Sequence, residues 1–492
     1  MANVLGHFKK YGFLYILIFV FGYIFFYHVH YSTLSSWDEA WYGSIAREMI
    51  RTGDYFHMIW NGRPYYDHPP LGFWFMALSY LLLGINEFST RLPSVVFGML
   101  AIITMYLTGI ELYKRKSIGF VAAVILGTSV WYTIRVRSGN LDSIFVFFYI
   151  LTVYFSVKSS KHVQWFPAAM AAFAGLVLSK TLVGFSAAAL ILFLNYHHLF
   201  RLKRTFWWLV GGAAVFTGIF LPWYISSYYA YPDFIQHHFF NIGTRDKTFM
   251  SYFQLHAAQP LFYIHMGIRK WYYFWYAGLA FLIVSFSFLR KQVALLFIWN
   301  IVVLYPFLTA TQTELWHLIP VYLPISLIIA YSFYELSQFI RQCMNAFIPS
   351  LHKMLRGRLS ATSATIMYVI MFIVIAGIQF RVFRPEVYPV SKYIPDDVDI
   401  SKKVSSYAEK IYLDDDYTPL AVYYSGRNML SMGDQPSPVG SDQPKTLVSL
   451  FQGADKDFVA ITRSWAVENL KNAHLPYKVR EKNSSFAIVS RP

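Results

Sequence analysis

The sequence is poor in cysteine and in charged residues. Cys343 is the single cysteine among 492 residues, so an internal disulfide and a cysteine-based metal cluster are both excluded. Charged residues make up 14% of the chain, whereas a typical soluble protein contains about 25%. The chain also lacks an internal repeat of roughly 20–50 residues, which excludes a solenoid or a propeller. These deficits argue against an ordinary soluble domain.

Apolar and aromatic residues dominate instead. The hydrophobic fraction is 56%, the aromatic fraction is 20% and the mean hydropathy is +0.40. Aromatic residues at this density suit a protein with two extensive membrane interfaces. The formal net charge is +16, but the lysines and arginines fall between apolar runs, and no nucleic-acid recognition motif accompanies them. We therefore expect membrane lipid, and not nucleic acid, as a partner of this charge.

The apolar runs are long enough to cross a bilayer, whose core of roughly 30 Å requires about 20 residues per helix. The candidate spans are approximately residues 11–30, 92–112, 118–135, 141–157, 163–179, 182–197, 207–228, 272–289, 293–309, 318–336 and 363–381. No small-residue cleavage site follows the first run, which we interpret as an uncleaved span. The sequence thus predicts a multi-pass α-helical membrane protein with about 11–13 transmembrane helices.

Basic residues cluster in every second predicted loop, which orients the spans. The clusters are Lys9–Lys10, Lys114–Lys116, Lys158 with Lys161, Arg201–Arg204, Arg290–Lys291 and Arg341–Arg358. Because cytoplasmic loops carry an excess of lysine and arginine, we expect a cytoplasmic N-terminus in the cytoplasmic (inner) membrane. Three larger segments then lie outside.

Two domains are predicted from this frame. Residues 1–383 form a transmembrane domain with outer loops at residues 31–91 and 229–271, and residues 384–492 form a small extracytoplasmic α/β domain. The last segment is polar and rich in turns, and it alternates strand-like runs with a helix-like piece. The strand-like runs are PLAVYYS, DFVAITR and SFAIVS, and the helix-like piece is SWAVENLKNAH.

The first outer loop begins with adjacent carboxylates, Asp38 and Glu39. The residues after them have the spacing of an amphipathic helix at the membrane interface. Aspartate is a common N-cap, and the helix dipole favours anions there. A cap needs one carboxylate, however, so capping and catalysis both remain open for this pair.

The second half of the same loop places Asp67 and His68 before Pro69 and Pro70. Consecutive prolines stiffen the backbone and extend the residue before them. A rigid turn alone would explain the prolines, whereas a fixed Asp-His pair would suit a binding site.

A series of motifs resembles the polyprenyl-phosphate-dependent membrane glycosyltransferases of the C-type (GT-C) fold. In chain order the motifs are WDEAWYGSIAREMIRTGDY, YYDHPPLGFWFMAL, STRLPSVVFGML, RVRSGNLDSIFVFF, GLVLSKTLVGF, HHFFNIGTRD, HAAQPLFYI and HLIPVYLPISLIIA. The most similar branch contains the lipid A aminoarabinose transferase and the protein O-mannosyltransferases. The resemblance covers roughly residues 35–330 and rests on the order of the motifs, since each alone is weak.

This resemblance implies roles for particular residues. The catalytic positions fall on Asp38, Glu39 and Asp142. The positions that bind donor phosphate or substrate fall on Arg137, Lys180, Asp67, His68 and His256, and the same outer groove would include Arg245. No cofactor is required, and a divalent metal ion held by Asp67 and His256 is the one candidate. The family usually has lysine where His68 stands and a Lys-Gly step where Lys180-Thr181 stands, so a fixed cation and the usual turn are not assured there.

The sequence therefore predicts an enzyme that moves a sugar from a polyprenyl-phosphate donor to a glycan, lipid or protein acceptor, lipid A among them. Asp38 would act as the general base. For Asp142 and Lys180, which lie near span ends, a structural ion pair is the alternative. A transporter or flippase of lipid-linked glycans is the rival class, but such proteins usually contain internal repeats, which this sequence lacks. A structural or assembly protein is a third class, but it would not need acids in separate loops.

Overall fold

The computed structural model describes residues 2–180, 182–244, 254–310, 314–347, 353–388, 393–413, 417–432 and 446–492. Its α-helices are α1 (Ala2–Phe26), α2 (Trp41–Thr52), α3 (Leu71–Leu83), α4 (Glu87–Tyr113), α5 (Lys116–Gly127), α6 (Val130–Val136), α7 (Asp142–Lys161), α8 (Phe166–Ser179), α9 (Ala187–Asn195), α10 (Leu202–Ala230), α11 (Ala258–Ile268), α12 (Trp271–Val284), α13 (Lys291–Leu308), α14 (Tyr322–Phe347), α15 (Lys353–Val387), α16 (Asp396–Val404), α17 (Thr418–Ser425), α18 (Leu447–Gln452) and α19 (Val467–Asn472). The strands are β1 (Ile59–Trp60), β2 (Arg63–Pro64), β3 (Lys410–Leu413), β4 (Leu430–Ser431), β5 (Phe458–Arg463), β6 (Lys478–Lys482) and β7 (Phe486–Ser490). Short π or 3-10 segments include Ser36–Ala40, Ile235–Thr244 and Leu315–Val321.

Every predicted span coincides with a helix or a broken helix. Within the described residues, five helices are long and apolar enough to cross a membrane, and a sixth span results if α5 and α6 count as one helix bent by 73°. Shorter apolar helices, such as α3 and α12, accompany them. The bend between α5 and α6 places the polar end of α6 among the outer-loop residues described below.

Helices α4 and α5 approach each other so closely that glycine is required on both. A Cβ atom on Gly119 would lie 2.2 Å from the carbonyl oxygen of Tyr106, and one on Gly109 would lie 2.5 Å from the Cα atom of Gly119. Small residues let membrane helices pack backbone to backbone in this way, where no hydrophobic effect drives them together.

Replacing Gly119 with alanine should therefore separate α4 from α5 and lower the free energy of unfolding by about 1–3 kcal/mol. Unfolding of the purified protein in detergent, followed by circular dichroism, measures the change. Gly211→Ala in α10 is the matched control, since no heavy atom lies within 4 Å of its added Cβ. An equal loss in both variants would contradict the close-packing argument.

A two-residue hairpin joins the first outer loop to the C-terminal region. Asn61 and Gly62 both have positive φ, 51° and 77°, which is the backbone that a type I′ turn requires between antiparallel strands such as β1 and β2. The Asn61 side chain donates to the carbonyl of Met429 at 2.9 Å and accepts from the Met429 amide at 2.7 Å. The hairpin tip is thereby fixed to the loop before β4.

The C-terminal region is a small α/β unit built on a mixed sheet. Strand β3 lies between β4 and β5 and is parallel to both, while β7 lies between β5 and β6 and is antiparallel to both. The DFVAITR and SFAIVS runs form β5 and β7, as predicted. The prediction for PLAVYYS was wrong, because these residues form helix α17, which has proline in its first turn and ends at Gly426 with a φ of 70°.

This C-terminal unit shares a hydrophobic core with the first outer loop. The shared cluster contains Leu34, Tyr42, Met49, Tyr80, Val398, Leu420 and Ile488, among others. At its edge, Arg47 donates to the carbonyls of Val422 and Tyr423 at the end of α17. The outer loop that carries Asp38 is therefore held between the membrane helices and the C-terminal unit.

Candidate active site

Four elements bring two carboxylates and two cationic side chains into one cluster. Asp38 comes from the π turn, Arg135 from α6, Asp142 from the start of α7 and Lys180 from the end of α8. Arg135 Nε donates to Asp142 Oδ2 at 2.6 Å, and Arg135 Nη2 donates to Asp38 Oδ2. Lys180 Nζ donates to Asp142 Oδ1. We call these four residues the carboxylate–cation cluster.

The backbone at Asp38 is unusual. Its φ and ψ are 45° and −72°, a region that residues with a side chain rarely adopt and that costs on the order of 1–3 kcal/mol. The kink prevents Asp38 from capping α2, and no side-chain cap bond is present at that helix end. Instead the kink aims the carboxylate at Arg135. The side chain is 20% exposed, whereas that of Asp142 is 5% exposed, so Asp38 is the acid that a substrate can reach.

A polar link between α6 and α7 fixes the other members. The Asn140 amide nitrogen donates to the carbonyl of Arg135 at 2.6 Å, and its oxygen accepts from the Asp142 backbone at 2.8 Å. The Arg135 guanidinium also lies over the ring of Trp316 at 5.2 Å, a favourable cation–π contact. Both oxygens of Asp142 are occupied by Arg135 and Lys180, so this buried carboxylate positions the two cations.

Glu39 points away from Asp38 and into a separate ion pair. Arg91 donates to it through Nε at 2.7 Å and through Nη2 at 3.0 Å, and the backbone amides of Ser35 and Gly139 also donate to it. Burial raises the pKa of the Glu39 carboxyl, but Arg91 together with the amides of Ser35 and Gly139 outweighs that effect, and the net pKa lies below its ordinary value. Glu39 therefore ties the loop to α4 and to the α6–α7 link, and it does not touch the cluster.

Arg137 also lies outside the cluster. Its Nη1 donates to the carbonyl of Ile24 at 2.6 Å, and its guanidinium lies over the ring of Tyr388 at 5.2 Å. Arg135, two residues earlier, lies between the two carboxylates, whereas the predicted role of Arg137 was to bind the donor phosphate. The RVRSGNLD motif contains both arginines, and they differ in the direction in which the end of α6 points their side chains.

Asp67 and His68 lie beside the cluster and take different partners. Asp67 Oδ1 accepts from His237 Nε2 at 2.6 Å. Burial and the nearby Lys180 charge lower the pKa of His68 to about 4, so its imidazole is neutral at neutral pH. The Nδ1 atom of His68 is buried without a hydrogen-bond partner in the described part of the chain. A fixed cation is therefore absent at His68, whereas Lys180 and Arg135 supply charge close by.

The predicted metal ligands do not come together. His256 is exposed, and its backbone amide donates to the carbonyl of Leu308, while Asp67 pairs with His237. No group of three His, Cys, Asp or Glu side chains among the described residues is placed to hold a metal ion. Arg245 lies outside the described residues. The described residues therefore form no three-ligand metal centre around Asp67, and a divalent ion held by Asp67 and His256 stays a prediction.

The Asp67–His237 pair predicts a pH dependence of stability. The hydrogen bond that His237 donates to the Asp67 carboxylate raises the pKa of His237. The pair therefore stabilises the folded protein fully at pH values below the pKa of His237 in the unfolded chain, about 6.5. This stabilisation is lost as the pH rises through the higher pKa of His237 in the folded protein. We expect His237→Gln to lower the free energy of unfolding by up to about 1 kcal/mol at acidic pH and by little at alkaline pH.

Unfolding temperatures of both proteins across this pH range measure the effect. His238→Gln is the control, because burial lowers the pKa of His238 to about 4. The difference in stability between this variant and the natural protein should change only below pH 6.5, where it should shrink as the pH falls, opposite to the trend for His237→Gln. A pH-independent deficit in His237→Gln would rule out the charged pair.

The chain is similar to known membrane glycosyltransferases. The profile of the family described as "Dolichyl-phosphate-mannose-protein mannosyltransferase" matches residues 67–225. The undecaprenyl phosphate-alpha-4-amino-4-deoxy-L-arabinose arabinosyl transferase of Shewanella sediminis is 30% identical over 217 residues, which cover 41% of this chain and 38% of that protein. The transferase of the same name from Pseudomonas savastanoi pv. phaseolicola is 24% identical over 240 residues, which cover 47% and 44%. Each match spans less than half the length of the relative.

Solved structures match over nearly the whole chain. ArnT from Cupriavidus metallidurans bound to undecaprenyl phosphate aligns with a TM-score of 0.66 at 17% identity and covers 97% of this chain and 98% of that chain. The oligosaccharyltransferase AglB from Archaeoglobus fulgidus, in complex with an inhibitory peptide and a dolichol-phosphate, aligns with a TM-score of 0.53 at 12% identity and covers 96% and 69%.

This chain therefore has the C-type fold of membrane glycosyltransferases, which confirms the predicted fold class, including the C-terminal α/β region. Part of its sequence is similar to the undecaprenyl-phosphate aminoarabinose transferases and to the protein O-mannosyltransferases.

Proposed function

We propose that this chain transfers a sugar from a polyprenyl-phosphate donor to an acceptor on the outer face of the cytoplasmic membrane, with Asp38 as the general base. The observation that carries the proposal is the carboxylate–cation cluster, in which one reachable carboxylate lies beside two cations. Glycosyl transfer from a phosphate requires both, since a base must take the acceptor proton and positive charge must stabilise the leaving phosphate. The similarity to enzymes named for lipid-phosphate sugar donors supports the donor class.

The reaction would be a single displacement. The acceptor O–H or N–H proton moves to a carboxylate oxygen of Asp38, and the acceptor atom bonds to the anomeric carbon of the sugar. The bond from that carbon to the phosphate oxygen breaks with inversion, and polyprenyl phosphate leaves with its electron pair. Lys180 and Arg135 neutralise the released charge. A donor phosphate that takes hydrogen bonds from Arg135 also frees Asp38 from its resting ion pair.

Asp142 and the outer loop would hold this arrangement together. Asp142 is a positioning residue, because it contacts both cations and is shielded from solvent. Asp67 and His68 border the same space and would contact the sugar or its phosphate. The acceptor, whether lipid A, another envelope glycan or lipid, or a protein, would approach beside the C-terminal unit that packs on this loop.

The test is a transfer assay with the purified protein in lipid vesicles and radiolabelled polyprenyl-phosphate sugars. Candidate acceptors are chosen by comparing the envelope glycolipids and glycoproteins of cells with and without the gene by mass spectrometry. We expect labelled acceptor and free polyprenyl phosphate in equal amounts. Movement of the donor across the vesicle membrane without transfer would instead assign the chain to the transporters of lipid-linked glycans.

A further inference from the structure

A groove between the first and the last long helices lies apart from the carboxylate–cation cluster. Its volume is about 1210 Å³. The walls come from α1 and from the C-terminal end of α15, and they include Phe19, Val20, Tyr27, Phe380, Arg381 and Arg384. Phe19, Val20 and Phe380 are exposed by 75%, 47% and 46%, so this wall of the groove is apolar and open.

Two cations lie at one end of this groove without acidic partners. Arg381 and Arg384 are both exposed, and their three-residue spacing places them on one face of α15. The acid next along the chain, Glu386, is occupied by Arg269 at 2.5 Å. Within the described residues, no carboxylate forms an ion pair with either arginine. The pair is thus available to an anion.

The groove opens at the same end of the protein as the cluster. Arg137 donates to the carbonyl of Ile24 in α1, and it also lies over Tyr388, just beyond α15. Arg135 of the cluster is two residues before Arg137, so this contact places the arginine-bearing end near the outer interface. Cytoplasmic loops normally carry the excess of arginine. Two arginines without acidic partners at the opposite interface, such as Arg381 and Arg384, are therefore unusual.

We propose that this groove binds one anionic glycerophospholipid of the outer leaflet. The headgroup phosphate accepts hydrogen bonds from Arg381 and Arg384, for which the planar guanidinium is well suited. An acyl chain lies along Phe19, Val20 and Phe380. The glycerophospholipid is favoured over the sugar carrier because a donor phosphate belongs beside Lys180, and the intervening Arg137 is already bound to α1 and Tyr388. The bound lipid joins α1 to α15 as a structural partner.

The test measures lipid binding and does not depend on activity. Dioctanoyl phosphatidylglycerol, dioctanoyl phosphatidylcholine and farnesyl phosphate are titrated into the full-length protein in uncharged detergent by isothermal calorimetry. We expect phosphatidylglycerol to bind more tightly than phosphatidylcholine. The double variant Arg381→Gln/Arg384→Gln should weaken phosphatidylglycerol binding roughly thirty-fold, since each arginine near an anionic lipid contributes about 1 kcal/mol, or about fivefold.

The matched control is Arg201→Gln/Arg204→Gln, which removes two exposed arginines of the same spacing from the other predicted interface. It should leave phosphatidylglycerol binding unchanged. Arg381→Lys/Arg384→Lys should retain most of the binding, and an unfolding temperature equal to that of the natural protein shows that the glutamine variant is folded. Unaltered binding in the α15 glutamine variant, or an equal loss in the control, would overturn the proposal. Tighter binding of farnesyl phosphate, lost in the same variant, would overturn it in favour of the carrier lipid.

Discussion

Asp38→Asn should lower kcat for sugar transfer by about 10²–10⁴-fold, the range that a positioned general base contributes. Asparagine has nearly the same shape and can still accept a hydrogen bond from Arg135, but it cannot take up the acceptor proton. The KM for the donor should change little, because Arg135 and Lys180 remain to bind the phosphate. Initial rates at saturating donor and acceptor, with the unfolding temperature of each protein, measure the effect.

Asp54→Asn is the matched control in the same outer loop. Asp54 Oδ1 accepts from the backbone amides of Phe56 and His57, both at 2.9 Å, and asparagine keeps this acceptor. Its activity should equal that of the natural protein. Undiminished transfer in Asp38→Asn would remove the assigned base, and a loss accompanied by a lower unfolding temperature would reduce Asp38 to a structural residue.

The membrane helices could be predicted because each needs a long apolar run, and the sequence shows these runs directly. The error at PLAVYYS has a physical cause. Its apolar residues are continuous, so period alone cannot separate a buried strand from a buried helix. The end signals do separate them, since Pro419 suits a first helical turn and Gly426 a left-handed helix end. Burial of Leu420 and Tyr423 against the first outer loop then fixes the helix.

The site was predictable as a set of motifs but not in its pairings. Asp38, Asp142 and Lys180 come together from distant parts of the chain, as the resemblance implied. The exchange of Arg135 for Arg137 could not be foreseen, because the end of α6 and the Asn140 contacts decide which arginine faces Asp142. A helical pattern also cannot reveal the positive φ at Asp38.

That kink has its largest consequence at the neighbouring residue. Glu39→Gln should destabilise the protein by about 3–5 kcal/mol, because it leaves the buried charge of Arg91 without the carboxylate that neutralises it. The side chains of Glu39 and Arg91 are only 6% and 4% exposed, so water cannot replace the lost carboxylate. The Arg91 guanidinium also holds the carbonyls of Val29, Ser32 and Thr33, and its displacement would loosen the start of the outer loop. Denaturant titration in detergent measures the free energy of unfolding.

The pH dependence of this pair provides a second measurement with a defined sign. Because the pKa of Glu39 is lowered in the folded protein, the pair stabilises the fold at pH values above the unfolded pKa of about 4.3. This stabilisation is lost as the pH falls through the folded pKa. The deficit of Glu39→Gln should therefore shrink in strong acid. Glu111→Gln is the control, since its partners Lys114 and Lys161 are 66% and 40% exposed and such pairs contribute about 0–1 kcal/mol. Equal losses at Glu39 and Glu111 would show that the buried pair is not the anchor of the loop, and the rigid placement of Asp38 would then need another source.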